Sequence, residues 1–120
     1  MTGAIWIVQL VHYPSMRFIS EERFVDFHHF HTTWISPVVA PMMLLQLGSS
    51  FFLAERKFLY IGLSLLVFLV TFAISVPLHN QLSHGYKLET IDRLVETNWY
   101  RTVLWSAHSV LLAWELWTKN

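Results

Sequence analysis

Apolar residues along this chain gather into four long stretches, separated by polar segments of unequal length. Thr32–Ala54 and Phe58–His79 carry no Asp, Glu, Lys or Arg, and each reaches the roughly 20 residues that a helix needs to cross a hydrocarbon layer. Met1–Met16 is equally uncharged and extends to about Ile19 if the Arg17 head group snorkels to the interface. Trp99–Trp117 holds Arg101 near its start and Glu115 near its end, with tryptophans at both ends, as an interfacial aromatic belt would place them. The pattern predicts one domain over 1–120, an all-α, integral membrane four-helix bundle with spans at about 1–19, 32–54, 58–79 and 99–117. Two spans with two interfacial helices is the alternative. Met1–Met16 has neither a positive leader nor a small-residue cleavage site, so it is expected to stay as a helix.

The connections differ in character. Ala54–Lys57 reads as a tight polar turn. Ser20–His31 opens with an N-cap residue followed by Glu21 and Glu22, which favours a helix start. Leu88–Val95 places apolar residues at 88, 91, 94 and 95, a short amphipathic pattern suited to lying on a membrane surface. Short interfacial helices are therefore expected in both long connections, which four spans put on the same side. Arg17, Arg23, Lys87 and Arg93 on that side face Arg56, Lys57 and Lys119 on the other, too even a split for the positive-inside rule to orient the chain.

Each span also carries a line of polar residues three, four or seven apart, positions that share a helix face. The lines run through Gln9 and His12, through Thr32, Ser36, Gln46 and Ser50, through Ser64, Thr71, Ser75 and His79, and through Asn98, Arg101, His108 and Glu115. Lipid cannot satisfy these groups, so the four lines should face one another. Composition agrees: 54% of residues are apolar, 13% are charged and the mean hydropathy is +0.43. A formal net charge of zero with no basic run argues against nucleic acid as a partner. The absence of cysteine excludes disulfides, zinc–thiolate and iron–sulfur sites.

The candidate chemistry lies in the seven histidines. His12, His28, His31, His79 and His108 are expected to share one end of the bundle, whereas His29 points elsewhere and His84 lies in a loop. Neutral imidazole is the commonest transition-metal ligand, so these five are candidate ligands for iron, copper or zinc, or proton-transfer groups. A haem would further require two of them to face each other across the bundle and is the lesser expectation. Arg101, with Asn98 beside it and His79 nearby, forms the candidate catalytic set, able to hold a carboxylate, phenolate or enolate. Pairing with Asp92 or Glu96 is its structural alternative. Pro14, Pro37, Pro41 and Pro77 lie in the histidine-side half, where each should kink its helix.

Val76-Pro77-Leu78-His79-Asn80-Gln81-Leu82, followed by Asn98-Trp99-Tyr100-Arg101-Thr102, resembles the anthrone-oxygenase-like family of small four-helix membrane proteins, although His79 stands where that family more often shows Asn. The resemblance is confined to the second half of the chain. It implies a four-helix fold and oxidation of a hydrophobic, aromatic or polyketide-like substrate. The first half, with Gln9, His12, Tyr13, Pro14, His28 and His31, looks more like small bacterial membrane proteins, which implies a multi-pass location in a bacterial inner membrane. The expected partners are the lipid bilayer, a hydrophobic small molecule, and a homo-oligomer or larger membrane complex. The reading is a membrane oxidoreductase with a histidine-rich site near one face. A non-catalytic subunit of a larger complex is the alternative.

Overall fold

The computed structural model describes residues 1–52 and 56–119, so Ala54 and Glu55 of the expected turn, and the end of the second expected span, lie outside the described residues. Among the described residues the chain forms four helices and no strand. The first, α1, runs Thr2–Ile7 and continues through a π turn at Val8–His12, Tyr13–Ser15 and a 3-10 turn at Met16–Phe18. The second, α2, is Glu21–Phe52. The third, α3, runs Lys57–Val70, a π turn at Thr71–Ser75, and Val76–Leu82. The fourth, α4, is Leu88–Lys119. Side-chain contacts such as His12 with His31, Tyr60 with Glu115, and Gln9 with Asn98 show that α2 runs antiparallel to α1, and α4 antiparallel to α3 and to α1. The result is an up-down-up-down bundle of 54 × 20 × 20 Å.

The interfacial helices expected in the connections are not separate elements. Ser20–His31 and Leu88–Val95 are the first turns of α2 and α4, each a continuous helix of 32 residues. Among the described residues, the one long loop left on that side is Ser83–Lys87, where Gly85 takes a φ of +144° that a side chain would strain.

Prolines act on these helices in two ways. Pro37 and Pro41 stay inside an unbroken α2. Pro14 and Pro77 instead follow π turns by a few residues in α1 and α3. A proline offers no N–H and its ring crowds the carbonyl four residues before it. A π turn takes up the misfit by adding one residue to the turn, which shifts the downstream side chains by about 100° around the axis. Tyr13 and His79 both follow such a turn, and both point into the bundle.

The sense of burial reverses along the bundle. Toward the Glu21 and Leu88 ends, Met16, Phe24, Leu82, Ile91 and Leu94 form an apolar core with no exposure. Charged Arg17, Glu22, Arg23, Glu89, Arg93 and Glu96 are on the outside there, with Arg17 paired to Asp92 at 2.7 Å. Beyond that level the outside is apolar: Trp34 is 63% exposed, Leu45 73% and Leu69 62%. The inside there is polar, with Gln9, Ser64, Ser75, Asn98, Arg101 and Thr102 buried. Only a few apolar side chains, among them Ile5, Met43, Val67 and Trp105, pack between these groups. Among the described residues, the one Asp, Glu, Lys or Arg within this belt is Arg101, and Arg56, Lys57, Glu115 and Lys119 mark its far edge. Two of the helices, Glu21–Phe52 and Lys57–Leu82, are long and apolar enough to cross a membrane.

Candidate functional site

Four of the five proposed metal histidines meet where the burial pattern reverses. His12 comes from the π turn of α1, His28 and His31 from one face of α2, and His79 from the last turns of α3. His12 Nε2 lies 2.7 Å from His31 Nδ1, and His28 Nε2 lies 3.0 Å from His79 Nδ1. Ring centroids of His31 and His79 are 5.3 Å apart, and those of His28 and His31 are 6.3 Å apart. His28 and His31 are buried, and His31 Nε2 finds no partner among the described residues. The nitrogen contacts are pairwise, and no three His, Asp or Glu donors converge on one point among the described residues. The rings of His12 and His31 pack with centroids 4.4 Å apart, and those of His28 and His79 with centroids 5.2 Å apart. His29 and His84 are exposed, as expected, and His84 Nδ1 lies 2.9 Å from the Asn80 carbonyl in the turn.

His108 is not part of this group, which corrects the expected five to four. Its Nε2 lies 3.4 Å from Ser50 Oγ and its ring meets the edge of Tyr60. Tyr60 in turn donates to Glu115 Oε2 at 2.9 Å, and Glu115 pairs with Lys119 at 3.3 Å. Two α4 turns separate Arg101 from His108, a rise of about 10 Å, farther than an imidazole side chain reaches. His108 therefore belongs to a second polar layer at the opposite edge of the belt.

The proposed catalytic residues do adjoin the histidines. Tyr13 OH lies 3.1 Å from His79 Nε2, which leaves both nitrogens of His79 engaged, one by Tyr13 and one by His28. A neutral imidazole has one N–H and one lone pair. If Tyr13 donates to Nε2, then Nδ1–H must donate to His28, and the three side chains form one directed chain of hydrogen bonds. Arg101 lines the same cavity as Tyr13. Its Nη1 donates to Asn98 Oδ1 at 3.3 Å and, more weakly, to Ser75 Oγ at 3.5 Å. The guanidinium also lies over the Trp105 ring, 5.1 Å from the centroid. The expected alternative of an ion pair with Asp92 or Glu96 is not what Arg101 makes: Asp92 pairs with Arg17, and Glu96 is exposed.

A buried amide network braces this arrangement. Asn98 Nδ2 donates to Gln9 Oε1 at 2.9 Å, Thr102 Oγ1 donates to the same oxygen at 3.2 Å, and Gln9 Nε2 donates to the Val95 carbonyl at 3.0 Å. Beside it a cavity of about 450 Å³ lies between α2 and α3, with Tyr13, His79 and Arg101 among its lining residues. Tyr13, Thr102 and Trp105 are the site residues that the polar lines omit. Thr102 was in reach as the neighbour of Arg101 one turn above Ser106. Tyr13 was hidden because the π turn changes its facing, and Trp105 because a tryptophan beside three others reads as belt. No family model, no curated protein and no solved structure matches this chain.

Proposed function

We propose that this chain is a multi-pass membrane protein that holds a transition-metal ion among His12, His28, His31 and His79 and acts as an oxidoreductase on a hydrophobic substrate. The membrane reading is supported by the inverted belt. The apolar windows of α2 and α3 are only 11% and 22% buried inside the bundle, the reverse of a soluble core helix. Trp99 and Trp117 sit about 27 Å apart along α4, close to the thickness of the hydrocarbon layer. The portion bearing Arg17, Glu22 and Arg93 then stands in water as an ordinary amphipathic bundle, with the histidines just beneath it.

The observation that carries the metal reading is the packing of four imidazoles from three helices, with His31 Nε2 buried and unpartnered among the described residues. Their paired nitrogens stand 2.7 and 3.0 Å apart. Two nitrogens bound to one tetrahedral ion at about 2.0–2.1 Å stand roughly 3.3 Å apart, so rotations about χ2 and small shifts turn contact pairs into ligand pairs. When bound, a redox-active ion would supply electron transfer. The chain's own residues do the rest: with His79 bound through Nδ1, its Nε2–H would donate to the Tyr13 oxygen, leaving the Tyr13 hydroxyl to give its proton to the cavity, and Arg101 would hold an anionic oxygen in place.

A second reading, a metal-free proton-transfer site, is favoured by the pairwise contacts and the directed Tyr13–His79–His28 chain. Metal analysis of protein purified in detergent without chelators separates the two. About one iron or copper per chain, lost in His31→Ala and kept in His108→Ala, supports the metal reading, whereas zinc alone would support the four-histidine site and reject the electron-transfer chemistry. Less than about 0.1 ion per chain, unchanged after incubation with each metal, rejects it. Stoichiometric co-purification of other membrane chains, with stability unaltered in Arg101→Ala, would instead indicate a subunit of a larger complex.

A further inference from the structure

The cavity between α2 and α3 has apolar walls, including Val39, Met43, Phe68 and Phe72, above a polar floor of Tyr13, His79 and Arg101. Its volume of about 450 Å³ falls in the range of pockets that enclose small molecules. Leu44 and Phe72, two of its lining residues, are 60% and 63% exposed, so the cavity reaches the apolar outer surface of the belt.

The floor carries an unbalanced charge. Arg101 is 5% exposed and its Nε finds no partner among the described residues. Its contacts among the described residues are neutral: an amide oxygen, a hydroxyl and an indole face. No carboxylate pairs with it among the described residues; Glu115, the other acidic residue of α4 beyond Glu96, lies with Tyr60 at the far edge. A guanidinium in a low-dielectric interior without a counter-ion is strongly unfavourable. A guanidinium that lines the cavity is suited to a two-pronged grip on a carboxylate.

We infer that the cavity takes a lipid-soluble monocarboxylate, which enters sideways from the bilayer between α2 and α3 and seats its carboxylate on Arg101. This rests on the membrane reading of the belt for the route of entry, and it does not depend on the metal. It names the class of hydrophobic substrate that the histidine site would meet, because the carboxylate would lie against Tyr13 and His79.

The test uses the full chain in nanodiscs of zwitterionic lipid, with radiolabelled laurate and its neutral counterpart dodecanol, and empty nanodiscs subtracted. Naphthoate and naphthalenemethanol form a second, planar pair. Saturable binding of one acid per chain is expected, roughly 10- to 100-fold tighter than the matching alcohol, the range for a hydrogen-bonded charged group. Arg101→Gln should erase that preference without weakening alcohol binding, and Val39→Trp, which fills the cavity, should abolish both. Protein stripped of metal by chelation should bind the acid equally well, as should His108→Ala, so a failed metal reading is distinguishable from a failed ligand reading. No saturable binding above empty nanodiscs, equal binding of acid and alcohol, or binding unaffected by Val39→Trp overturns the proposal. If Arg101→Gln does not fold, the acid-to-alcohol ratio and Val39→Trp decide alone.

Discussion

Gln9 ties α1 to α4 at the level of the site, and its replacement by Leu should loosen the support of Arg101. Gln9 is 2% exposed and Asn98 1%, so water does not substitute for a lost partner. Of the groups that Gln9 contacts, Thr102 Oγ1 keeps its bond to the Asn98 carbonyl at 3.1 Å, and the Val95 carbonyl keeps its place in the helix ladder. Only Asn98 Nδ2 is orphaned. An unsatisfied buried donor costs about 1–3 kcal/mol, whereas paired polar side chains between membrane helices average nearer about 0.6 kcal/mol. Leu fills the same volume and adds no cavity, so the expected loss for Gln9→Leu is roughly 1–2 kcal/mol. A double-mutant cycle with Asn98→Leu, measured by reversible unfolding in mixed micelles, should return a coupling of about 1 kcal/mol. A coupling below about 0.3 kcal/mol, within the error of additivity, would refute the contact and the bracing role drawn from it.

Three other expectations follow from the same structure. The chain has no native cysteine, so single cysteines report position directly: Glu22→Cys should react with an impermeant maleimide, whereas Leu45→Cys should not, although Leu45 is 73% exposed on the protein surface. Fast labelling of both would contradict a lipid-facing belt. The Arg17–Asp92 pair is 38% and 42% exposed at its side chains, so Asp92→Asn should shift unfolding by less than about 1 kcal/mol; a larger loss would mean the pair is structurally coupled to the apolar core beneath it. Gly85→Ala should destabilise the loop by about 1 kcal/mol or more because of its φ of +144°, visible as faster hydrogen exchange in Ser83–Lys87; unchanged exchange would contradict the strained geometry.

The four helices were legible from the apolar stretches alone, because charge-free runs such as Thr32–Ala54 leave few alternatives. The length of α2 and α4 was not. Their first turns bury apolar residues and their later turns bury polar ones, so a periodicity read along Glu21–Phe52 changes sense near His28 and looks like two elements. Within the site, His28 and His31 were readable from their spacing of three, and Asn98 and Arg101 from theirs. His12 and His79 were readable only by depth. Depth also misled for His108, since a shared helix face does not place residues at the same level. The facing of Tyr13 depends on the π turn before Pro14, where one added residue alters every later position, and no hydrophobic period in sixteen residues records it.

The most direct test of the four-histidine centre is X-ray absorption at the edge of whichever metal co-purifies, on wild-type protein in nanodiscs. The account predicts three or four imidazole nitrogens at about 2.0–2.2 Å, falling by at least one in His79→Ala and unchanged in His108→Ala. A shell with one imidazole or none, or no metal to measure, would contradict it.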